Sequence, residues 1–336
     1  MSNELGVLAI GNALVDVLVQ ADESFIQEQV NAYGMARNAM TLVNEERAET
    51  LYREMQALPE KECTQMSGGS AANTMACYAS LGGTGGFVGK VSNDKLGKIF
   101  ADDMRQKGVQ FETTPLHRGN STGRCLILVD SDGRRSMSTY LGAAVELGPE
   151  DIDEQQIGSA SVVYLEGYLF DPENAKKAFE QASNFAHKNG NKIALTLSDP
   201  FCVDRHREDF KGFIEQHVDI LFANEEEITS LYQRSYEDIV SMYKGLNIIA
   251  AMTRSEHGST ILHRDEVVDV PAAPTTVVDT TGAGDAYSAG FLFGYVNNEP
   301  LEVCGRYAAI SAAEVVSHMG PRPEANLAEL IAKQAA

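Results

Sequence analysis

Alternation of short apolar runs with longer amphipathic runs is the feature that most constrains the fold of this chain. From about residue 150 onward, runs such as ASVVYLEGYL, KIALTLSDP and VDILFAN alternate with charged, helix-like segments. Apolar runs of this length are typical of parallel strands that are buried on both faces and joined by helices. The pattern therefore predicts an α/β fold, a three-layer α/β/α sandwich around a mostly parallel central sheet.

Two β-rich segments, at about residues 15–44 and 111–141, interrupt this alternation. The second contains STGRCLILVDSDGRRSMSTYL, two apolar runs around Asp132-Gly133, which is a strong hairpin signal. The first apolar run of the chain, Gly6 to Gln20, predicts one strand that leaves the core. We expect the two β-rich segments to form a small sheet that covers a cleft, within a single domain spanning 1–336.

Composition excludes several classes of protein. The chain has 336 residues, of which 43% are hydrophobic, but no run of about 18 apolar residues that would predict a membrane helix. Its N-terminus lacks the basic region of a signal peptide, and five scattered cysteines without a CxxC motif are typical of a reduced, cytoplasmic protein. Asp and Glu outnumber Lys and Arg by 48 to 27, and the net charge of −21 argues against nucleic acid and anionic membranes as partners.

The segment Asp279-Thr280-Thr281-Gly282-Ala283-Gly284-Asp285 ends a β-like run and begins an apolar, helix-like run. Small residues at a helix N-terminus let backbone N–H groups converge on an anion. A carboxylate beside an anion is electrostatically unfavourable, which suggests a function for Asp285. It could be the base that takes the proton of a hydroxyl as that hydroxyl attacks a phosphate. The alternative is that Asp285 only caps the helix.

Other polar residues follow strand-like runs, so that we expect them at the carboxyl edge of the sheet, where open α/β sheets bind ligands. Asn224 and Glu227 could offer oxygen ligands to a hydrated Mg²⁺, or could simply cap a helix. Asp16 could bind the two hydroxyls of a sugar diol, or lie on a solvated strand face. Arg135 could reach phosphate from the cover, or pair with a surface acid, and Thr253 could lie in a nucleotide loop or an ordinary turn.

Three motifs resemble those of the ribokinase family (PfkB-type carbohydrate kinases). DTTGAGDAYSAGF is similar to the C-terminal signature of the family, GGSAANTMACYASLGG with GGFVGKVSNDKLG to the N-terminal one, and NEEE at 224–227 to its magnesium motif. The resemblance covers essentially the whole chain, and within the family it is strongest to adenosine kinases, through GNALVDV, YLEGYLF and LSDPF. It implies a ribokinase-like fold whose small β-sheet is a lid.

The resemblance also implies roles for individual residues. The catalytic residues would be Asp285 as base, the amides of Gly282, Ala283 and Gly284 as anion hole, and Arg135 from the lid. The acceptor would be bound by Asn12, Leu14, Asp16, Gly68, Gly69, Asn73 and Phe170, with Phe201 also facing the base. The nucleotide would lie near Asn224, Thr253, Gly258, Gly282, Gly284 and Ala309. Mg²⁺ would bind through water at Asn224 and Glu227, and a monovalent cation such as K⁺ at Asp279 and Thr281, with carbonyls near Val315, His318 and Gly320.

Two departures from the family pattern bear on the ligands. Ser255 stands where many members have glycine in the nucleotide loop. Bulky or polar residues are expected on the lid side of the base pocket, namely Arg124, Met137, Thr139 and Tyr140.

The implied activity is ATP-dependent phosphorylation of the primary, 5′-type hydroxyl of a ribose-containing substrate, with conversion of adenosine to AMP in purine salvage as the first expectation. The alternatives are a kinase for ribose, 2-keto-3-deoxygluconate or another free sugar and, more distantly, a non-catalytic nucleotide-binding regulator. A Rossmann dehydrogenase is disfavoured because no GxGxxG motif follows the first strand. We expect small-molecule partners, neither nucleic acid nor membrane, and either a monomer or a homodimer paired through an edge of the cover sheet.

Overall fold

The computed structural model of the chain describes residues 4–58 and 63–334. The strands of the described residues are β1 (Leu5–Ile10), β2 (Leu14–Gln20), β3 (Met40–Leu42), β4 (Thr64–Gly68), β5 (Gly85–Val88), β6 (Val109–Phe111), β7 (Gly123–Val129), β8 (Arg135–Tyr140), β9 (Ala160–Glu166), β10 (Lys192–Thr196), β11 (Ile220–Asn224), β12 (Ile249–Thr253), β13 (Ser259–His263) and β14 (Glu266–Val270). The helices of these residues are α1 (Glu23–Tyr33), α2 (Glu45–Gln56), α3 (Ser70–Ser80), α4 (Lys95–Gln106), α5 (Glu154–Gly158), α6 (Glu173–Asn189), α7 (Pro200–His217), α8 (Glu225–Tyr232), α9 (Tyr236–Tyr243), α10 (Ala283–Val296), α11 (Leu301–Val315) and α12 (Leu327–Gln334).

A large, mostly parallel sheet forms the centre of the molecule. Within the described residues it has nine strands in the order β14-β13-β12-β11-β10-β9-β1-β5-β6. The strands from β12 to β6 run parallel, and β13 and β14 extend one end of the sheet in antiparallel fashion. Because parallel strands end at the same edge, the segments that follow β1, β9, β10, β11 and β12 are brought together there.

Both faces of the large sheet are buried. Along β1, Val7 and Ala9 belong to one apolar core, which includes residues of α3, α10 and α11, whereas Leu8 and Ile10 belong to a second core with residues of α6, α7 and α8. Alternation between two cores along a single strand is the mark of a sheet that is covered by helices on each side. The predicted three-layer α/β/α arrangement with a second, smaller sheet is confirmed.

The small sheet has the strand order β3-β8-β7-β2-β4. Strands β7 and β8 pair in antiparallel fashion around Gly133, which has φ +80° in the left-handed region, so the predicted hairpin is confirmed. The prediction of a single strand from Gly6 to Gln20 is wrong: β1 lies in the large sheet and β2 in the small one. Strand β4 belongs to the small sheet although it lies outside the two predicted β-rich segments, while residue 111, inside the second segment, ends a strand of the large sheet.

The register of the small sheet decides which side chains face the cleft. Asp16 lies opposite Cys125, and Cys125 lies opposite Thr139, so these three side chains share one face. Arg135 and Met137 precede Thr139 on the same face of β8 at two-residue spacing, and Arg135 reaches Asp279 in the segment that leads into α10. This face of the small sheet therefore covers the edge where the large-sheet strands end.

The opposite face of the small sheet packs against α2. Val15, Leu126 and Leu128 on this face belong to the same apolar core as Val7 and Ala9, and Arg124 on this face donates to Glu49 of α2 at 2.8 Å. Tyr140, which lies opposite Arg124, points the same way. The expectation that Arg124 and Tyr140 lie on the lid side of the base pocket is therefore wrong, since the two-residue period of the strands directs both side chains away from the cleft.

Among the described helices, none combines the length and the apolar character that crossing a bilayer requires.

Candidate active site

The turn before α10 is shaped by close approach to the C-terminal part of the chain. Gly282 has φ +79°, and a Cβ at this position would lie 2.6 Å from the Cα of Pro321, so only glycine fits. The N–H of Ala283 donates to the carbonyl of Thr280 at 3.2 Å, whereas the described residues offer no internal acceptor to the amides of Gly282 and Gly284. Of the three amides predicted for the anion hole, those of Gly282 and Gly284 can thus donate to a ligand.

Asp285 lies in the first turn of α10 and is held by two side chains of α3. Its Oδ1 accepts a hydrogen bond from Ser70 at 2.5 Å, and its Oδ2 accepts one from Asn73 at 3.4 Å. Burial raises the pKa of Asp285 to about 6, against the lowering effect of Ser70, Asn73 and the charge of Arg322, while the nearby Asp16 raises it further. A carboxyl group that is ionised near neutrality yet close to titration is suited to accept a proton. Ser70 was not among the predicted site residues.

Asp16 occupies the cleft-facing side of β2 and is 8% exposed. Its carboxylate fills the space beside Gly68, where a Cβ would lie 2.2 Å from Oδ1. Gly69 has φ +96°, and a Cβ there would lie 2.2 Å from the carbonyl oxygen of Asn12. The glycine pair is therefore required by Asp16 and Asn12. Burial raises the pKa of Asp16 to about 6, although the charges of Arg322 and Arg135 lower it.

Asn12 is held by Glu166, a buried carboxylate at the end of β9 that the sequence analysis did not identify. Oε1 of Glu166 accepts from the side-chain amide of Asn12 at 2.7 Å and from its backbone N–H at 3.3 Å. Oε2 accepts from the backbone N–H of Ala71 at 2.9 Å. Burial raises the pKa of Glu166 to about 7 in spite of these three hydrogen bonds. The only signal in the sequence was an acid that directly follows the apolar run SVVYL.

A second residue missed by the sequence analysis is Arg322, in the segment between α11 and α12. Its guanidinium donates to Asn73 Oδ1 at 3.0 Å, to Asp103 Oδ2 at 2.9 Å and to Ser67 Oγ at 2.9 Å. An arginine in GPRP carries no periodic signal, and its partners lie more than 200 residues away in the chain.

The predicted monovalent-cation residues converge only in part. Oδ1 of Asp279 accepts from the N–H of Thr281 at 3.0 Å and from its hydroxyl at 2.6 Å, and Oδ2 accepts from the N–H of Gly320 at 3.0 Å. Arg135 also approaches Oδ2 at 3.3 Å. Burial alone would raise the pKa of Asp279, but the hydrogen bonds of Thr281 and Gly320 and the charge of Arg135 hold it below its usual value. Arg135 therefore neutralises at least part of the negative charge of Asp279 to which a cation would bind.

The two other residues predicted for this cation are placed differently. Val315 is fully buried at the end of α11, and the carbonyl of the following residue, Val316, accepts from the N–H groups of Val278 and Asp279. His318 lies 3.3 Å from a carboxylate oxygen of Glu314. The K⁺ site stays a prediction.

Asn224 and Glu227 form a reciprocal capping box at the start of α8. The Asn224 side chain accepts from the Glu227 N–H at 2.8 Å, while both carboxylate oxygens of Glu227 accept from Asn224, at 2.9 Å from its N–H and 2.8 Å from its amide. Burial raises the pKa of Glu227 to about 7, and the nearby acids Asp199, Glu226 and Asp285 raise it further. Asn224 and Glu227 therefore do cap α8, but a cation bound next to this buried carboxylate and its neighbouring acids would also be stabilising.

The predicted nucleotide residues lie on neighbouring strands and on α11. Thr253 ends β12 directly beside Asn224 in the sheet register. Gly258 has φ +83°, and a Cβ there would lie 2.1 Å from the carbonyl of Val270. Ser255 adopts φ +49°, a conformation in which glycine would be more favourable. Ala309 is half-buried on α11.

Two predicted aromatic contacts have different surroundings. Phe170 is buried in the core, where its ring stacks on Phe210 with centroids 4.0 Å apart, so the structure does not bring it to the cleft with the other acceptor residues. Phe201, in the first turn of α7 after β10, is 76% exposed. A large exposed aromatic ring near the edge where strands end is available to a ligand.

Known proteins of similar sequence and structure identify the family of the chain. The sequence matches the pfkB family carbohydrate kinase over residues 28–326. The structure is similar to that of an adenosine kinase from Sinorhizobium meliloti, with 44% identity, a TM-score of 0.87, and coverage of 99% of this chain and 100% of that one. It is equally similar to a probable sugar kinase from Rhizobium etli CFN 42, with 43% identity, a TM-score of 0.88, and coverage of 100% and 99%.

A nucleoside kinase from Methanothermobacter thermautotrophicus is 28% identical over 323 residues, which cover 95% of this chain and 92% of that protein. The family match spans most of the chain, from α1 to the segment before α12, and includes the turn that carries Asp285. The chain therefore belongs to the pfkB family of carbohydrate kinases, and it is an ATP-dependent sugar or nucleoside kinase.

Proposed function

We propose that this kinase transfers the γ-phosphoryl group of ATP to the 5′-hydroxyl of a ribonucleoside, with adenosine to AMP as its main reaction. The observation that carries the proposal is the position of Asp285. It lies at the N-terminus of α10, beside the amides of Gly282 and Gly284, and contacts Asn73 of α3. A proton acceptor and anion-binding amides at one helix end are the two elements that phosphoryl transfer to a hydroxyl requires.

The acceptor would be fixed by residues from β2 and α3. The carboxylate of Asp16 can accept from both hydroxyls of the ribose 2′,3′-diol, and Asn12 and Asn73 border the same space. A ribose held in this way would present its 5′-hydroxyl to Asp285, which would take the proton while the oxygen bonds to the γ-phosphorus. The bond between that phosphorus and the bridging oxygen breaks, and ADP leaves.

Charge on the transferred group would be met by the α10 N-terminus and by the lid. The amides of Gly282 and Gly284 donate to the equatorial oxygens, an arrangement that acts strongly where water is excluded. Arg135, which approaches Asp279 at 3.3 Å, would move its guanidinium onto phosphate when ATP and acceptor are present. The small sheet thereby protects the reacting group from hydrolysis.

Mg²⁺ fits the acidic surroundings of Glu227. Within the described residues, no three His, Cys, Asp or Glu side chains are arranged to hold a metal ion by themselves. An ion here would therefore be held by phosphate oxygens and water next to Asn224 and Glu227, the mode that Mg²⁺ prefers with nucleotides. When bound, it would neutralise charge on the β- and γ-phosphates.

A nucleoside is favoured over a free sugar by the apolar side chains next to Asp16. Leu14, Cys125 and Met137 lie on the cleft-facing side of the small sheet, and the hydroxyl of Thr139 on the same face donates to Cys125. A free sugar would find few polar partners there for its remaining hydroxyls. A flat, mostly apolar base suits these side chains, and Phe201 is exposed near the same edge. The 44% identity to an adenosine kinase supports this choice, and the 43% identity to a probable sugar kinase makes a direct test necessary.

The test is a coupled ATP assay with adenosine, inosine, ribose and 2-keto-3-deoxygluconate offered separately. We expect the largest kcat/KM with adenosine, whereas turnover of ribose without turnover of adenosine would overturn the nucleoside assignment. Phe201→Ala should raise KM for adenosine without affecting any residual rate with ribose. Leu246→Ala removes an exposed apolar side chain before β12, at the opposite edge of the large sheet, and is the matched control.

A further inference from the structure

Arg322 joins three elements around the proposed acceptor site. Each of its guanidinium nitrogens donates to a different partner: Nε to Asn73 on α3, Nη1 to Asp103 on α4, and Nη2 to Ser67 on β4. Ser67 in turn donates its hydroxyl and its N–H to the same Asp103 oxygen. The side chain of Arg322 is 9% exposed. A planar fork with every nitrogen engaged fixes the relative positions of its partners in a way that a lysine cannot.

The contact with Asn73 determines which way its amide points. Because Oδ1 of Asn73 accepts from Arg322 Nε at 3.0 Å, its NH₂ group is turned toward Asp285 Oδ2 at 3.4 Å. The flipped amide would place its NH₂ against the guanidinium and its oxygen against the carboxylate, so that both contacts would be repulsive. Arg322 thus makes Asn73 a donor to Asp285.

Arg322 is also a cation in a strongly acidic region. It is surrounded by Asp16 on β2, Asp285 on α10 and Asp103 on α4, with Glu166 of β9 beyond Asn12 and Asp285. Arg135 of β8 is the other cation that acts on Asp16, and it is engaged with Asp279. Burial raises the pKa of Asp16 and of Asp285, and Arg322 opposes that rise at both carboxyls.

We propose that Arg322 is a positioning residue for phosphoryl transfer, which orients Asn73 toward Asp285 and supplies the positive charge that Asp16 and Asp285 face. The inference rests on the proposed function for the roles of these two aspartates. Arg322, in the segment after α11, would thus act on the reaction through Asn73 and through its charge.

The test compares Arg322→Gln, Arg322→Lys and the control Arg264→Gln. Arg264 lies in the exposed turn between β13 and β14 and donates to Asn247 before β12, at the edge of the sheet remote from Asp285. Its loss reproduces the change in net charge and the loss of a side-chain hydrogen bond away from the site. We would measure kcat and KM for adenosine from about pH 5 to pH 9, together with the thermal midpoint of each variant.

R322Q should lower kcat/KM by about 10- to 100-fold at high pH, the range expected for a lost hydrogen bond to a charged group. It should also move the acid limb of kcat/KM to higher pH, because the charge that favours ionised Asp16 and Asp285 is gone. R322K should lower kcat/KM with the acid limb close to that of the wild type, since the charge remains and the fork is lost. The lysine variant tests positioning independently, should R322Q not fold.

A purely structural tie would give a different result. If R322Q and R322K lost the same factor at every pH, with an unmoved acid limb and a lowered thermal midpoint, the proposal would be wrong. If the wild type phosphorylated none of the four acceptors, the proposed function would fail, and Arg322 would be tested by ¹³C NMR titration of aspartate carboxyls, assigned with D16N and D285N. Titration of Asp16 and Asp285 at higher pH in R322Q would support the inference, and unchanged titration would overturn it.

Discussion

Asp285→Asn removes the proposed base and a buried ionisable group in one substitution. A general base contributes about 10²- to 10⁴-fold, so kcat should fall by at least about 100-fold. The asparagine keeps the size of the side chain, and its oxygen can still accept from Ser70, which donates to Asp285 at 2.5 Å in the wild type; only the longer 3.4 Å hydrogen bond from Asn73 is lost. KM for ATP and for adenosine should therefore change little.

The same substitution should stabilise the fold. The pKa of Asp285 rises from 3.8 to about 6 on folding because of burial, and each unit corresponds to about 1.36 kcal/mol. The folded state binds the proton more tightly than the unfolded chain, so the wild type loses stability as pH rises from about 3.8 through 6. D285N lacks this titration, and above about pH 7 it should exceed the wild type in free energy of unfolding by at most about 3 kcal/mol.

The assay is urea denaturation of both proteins across this pH range, in parallel with kcat measured under saturating ATP and adenosine. The stability difference should shrink as pH falls toward 3.8 and disappear below about pH 3, where the wild-type carboxyl is protonated in both states. Wild-type kcat in D285N would refute the role of Asp285 as base. If the gain in free energy of unfolding of D285N over wild type were smaller at pH 8 than at pH 5, the assignment of a buried, destabilised carboxylate would be wrong.

Three further changes test the rest of the site. Gly68→Ala would place a Cβ 2.2 Å from the carboxylate of Asp16. KM for the acceptor should therefore rise by about 10-fold or more, with KM for ATP unchanged. Gly212→Ala, whose Cβ meets nothing within 4 Å, is the control. Glu227→Gln removes a carboxyl whose pKa is raised to about 7, and the rate should then require a higher concentration of free Mg²⁺, as read from a magnesium titration. Arg135→Gln should lower kcat by about 10²-fold, the loss typical of one donor at an anion site, in steady-state assays at saturating ATP; an unchanged kcat would show that this arginine only pairs with acid.

Local sequence was sufficient to predict the elements of the fold that depend on periodicity and turn chemistry. The strand–helix alternation after residue 150 and the hairpin at Asp132-Gly133 could be predicted without knowledge of distant residues. A strand buried on both faces is recognised from its own apolar run, and a hairpin from its turn residues and the two runs beside them. The family resemblance pointed to Asp16, Asn73 and Asp285, and the structure brings these side chains to one edge.

Sequence reasoning failed where a single residue decides between sheets or faces. The break at Gly11-Asn12-Ala13 moves the chain from the large sheet to the small one, and the apolar residues on both sides of it concealed that change. The direction of Arg124 likewise depends on register, since a shift of one residue would turn it into the cleft.

The sequence by itself determined the fold class, the family and the turn that carries Asp285, since each of these can be recognised from short contiguous segments. Only the tertiary structure decided what surrounds that carboxylate. Glu166 behind Asn12 and Arg322 behind Asn73 are single residues whose partners lie 154 and 249 positions away. Their effect on ionisation and orientation depends on burial and distance, and neither quantity exists until the chain has folded.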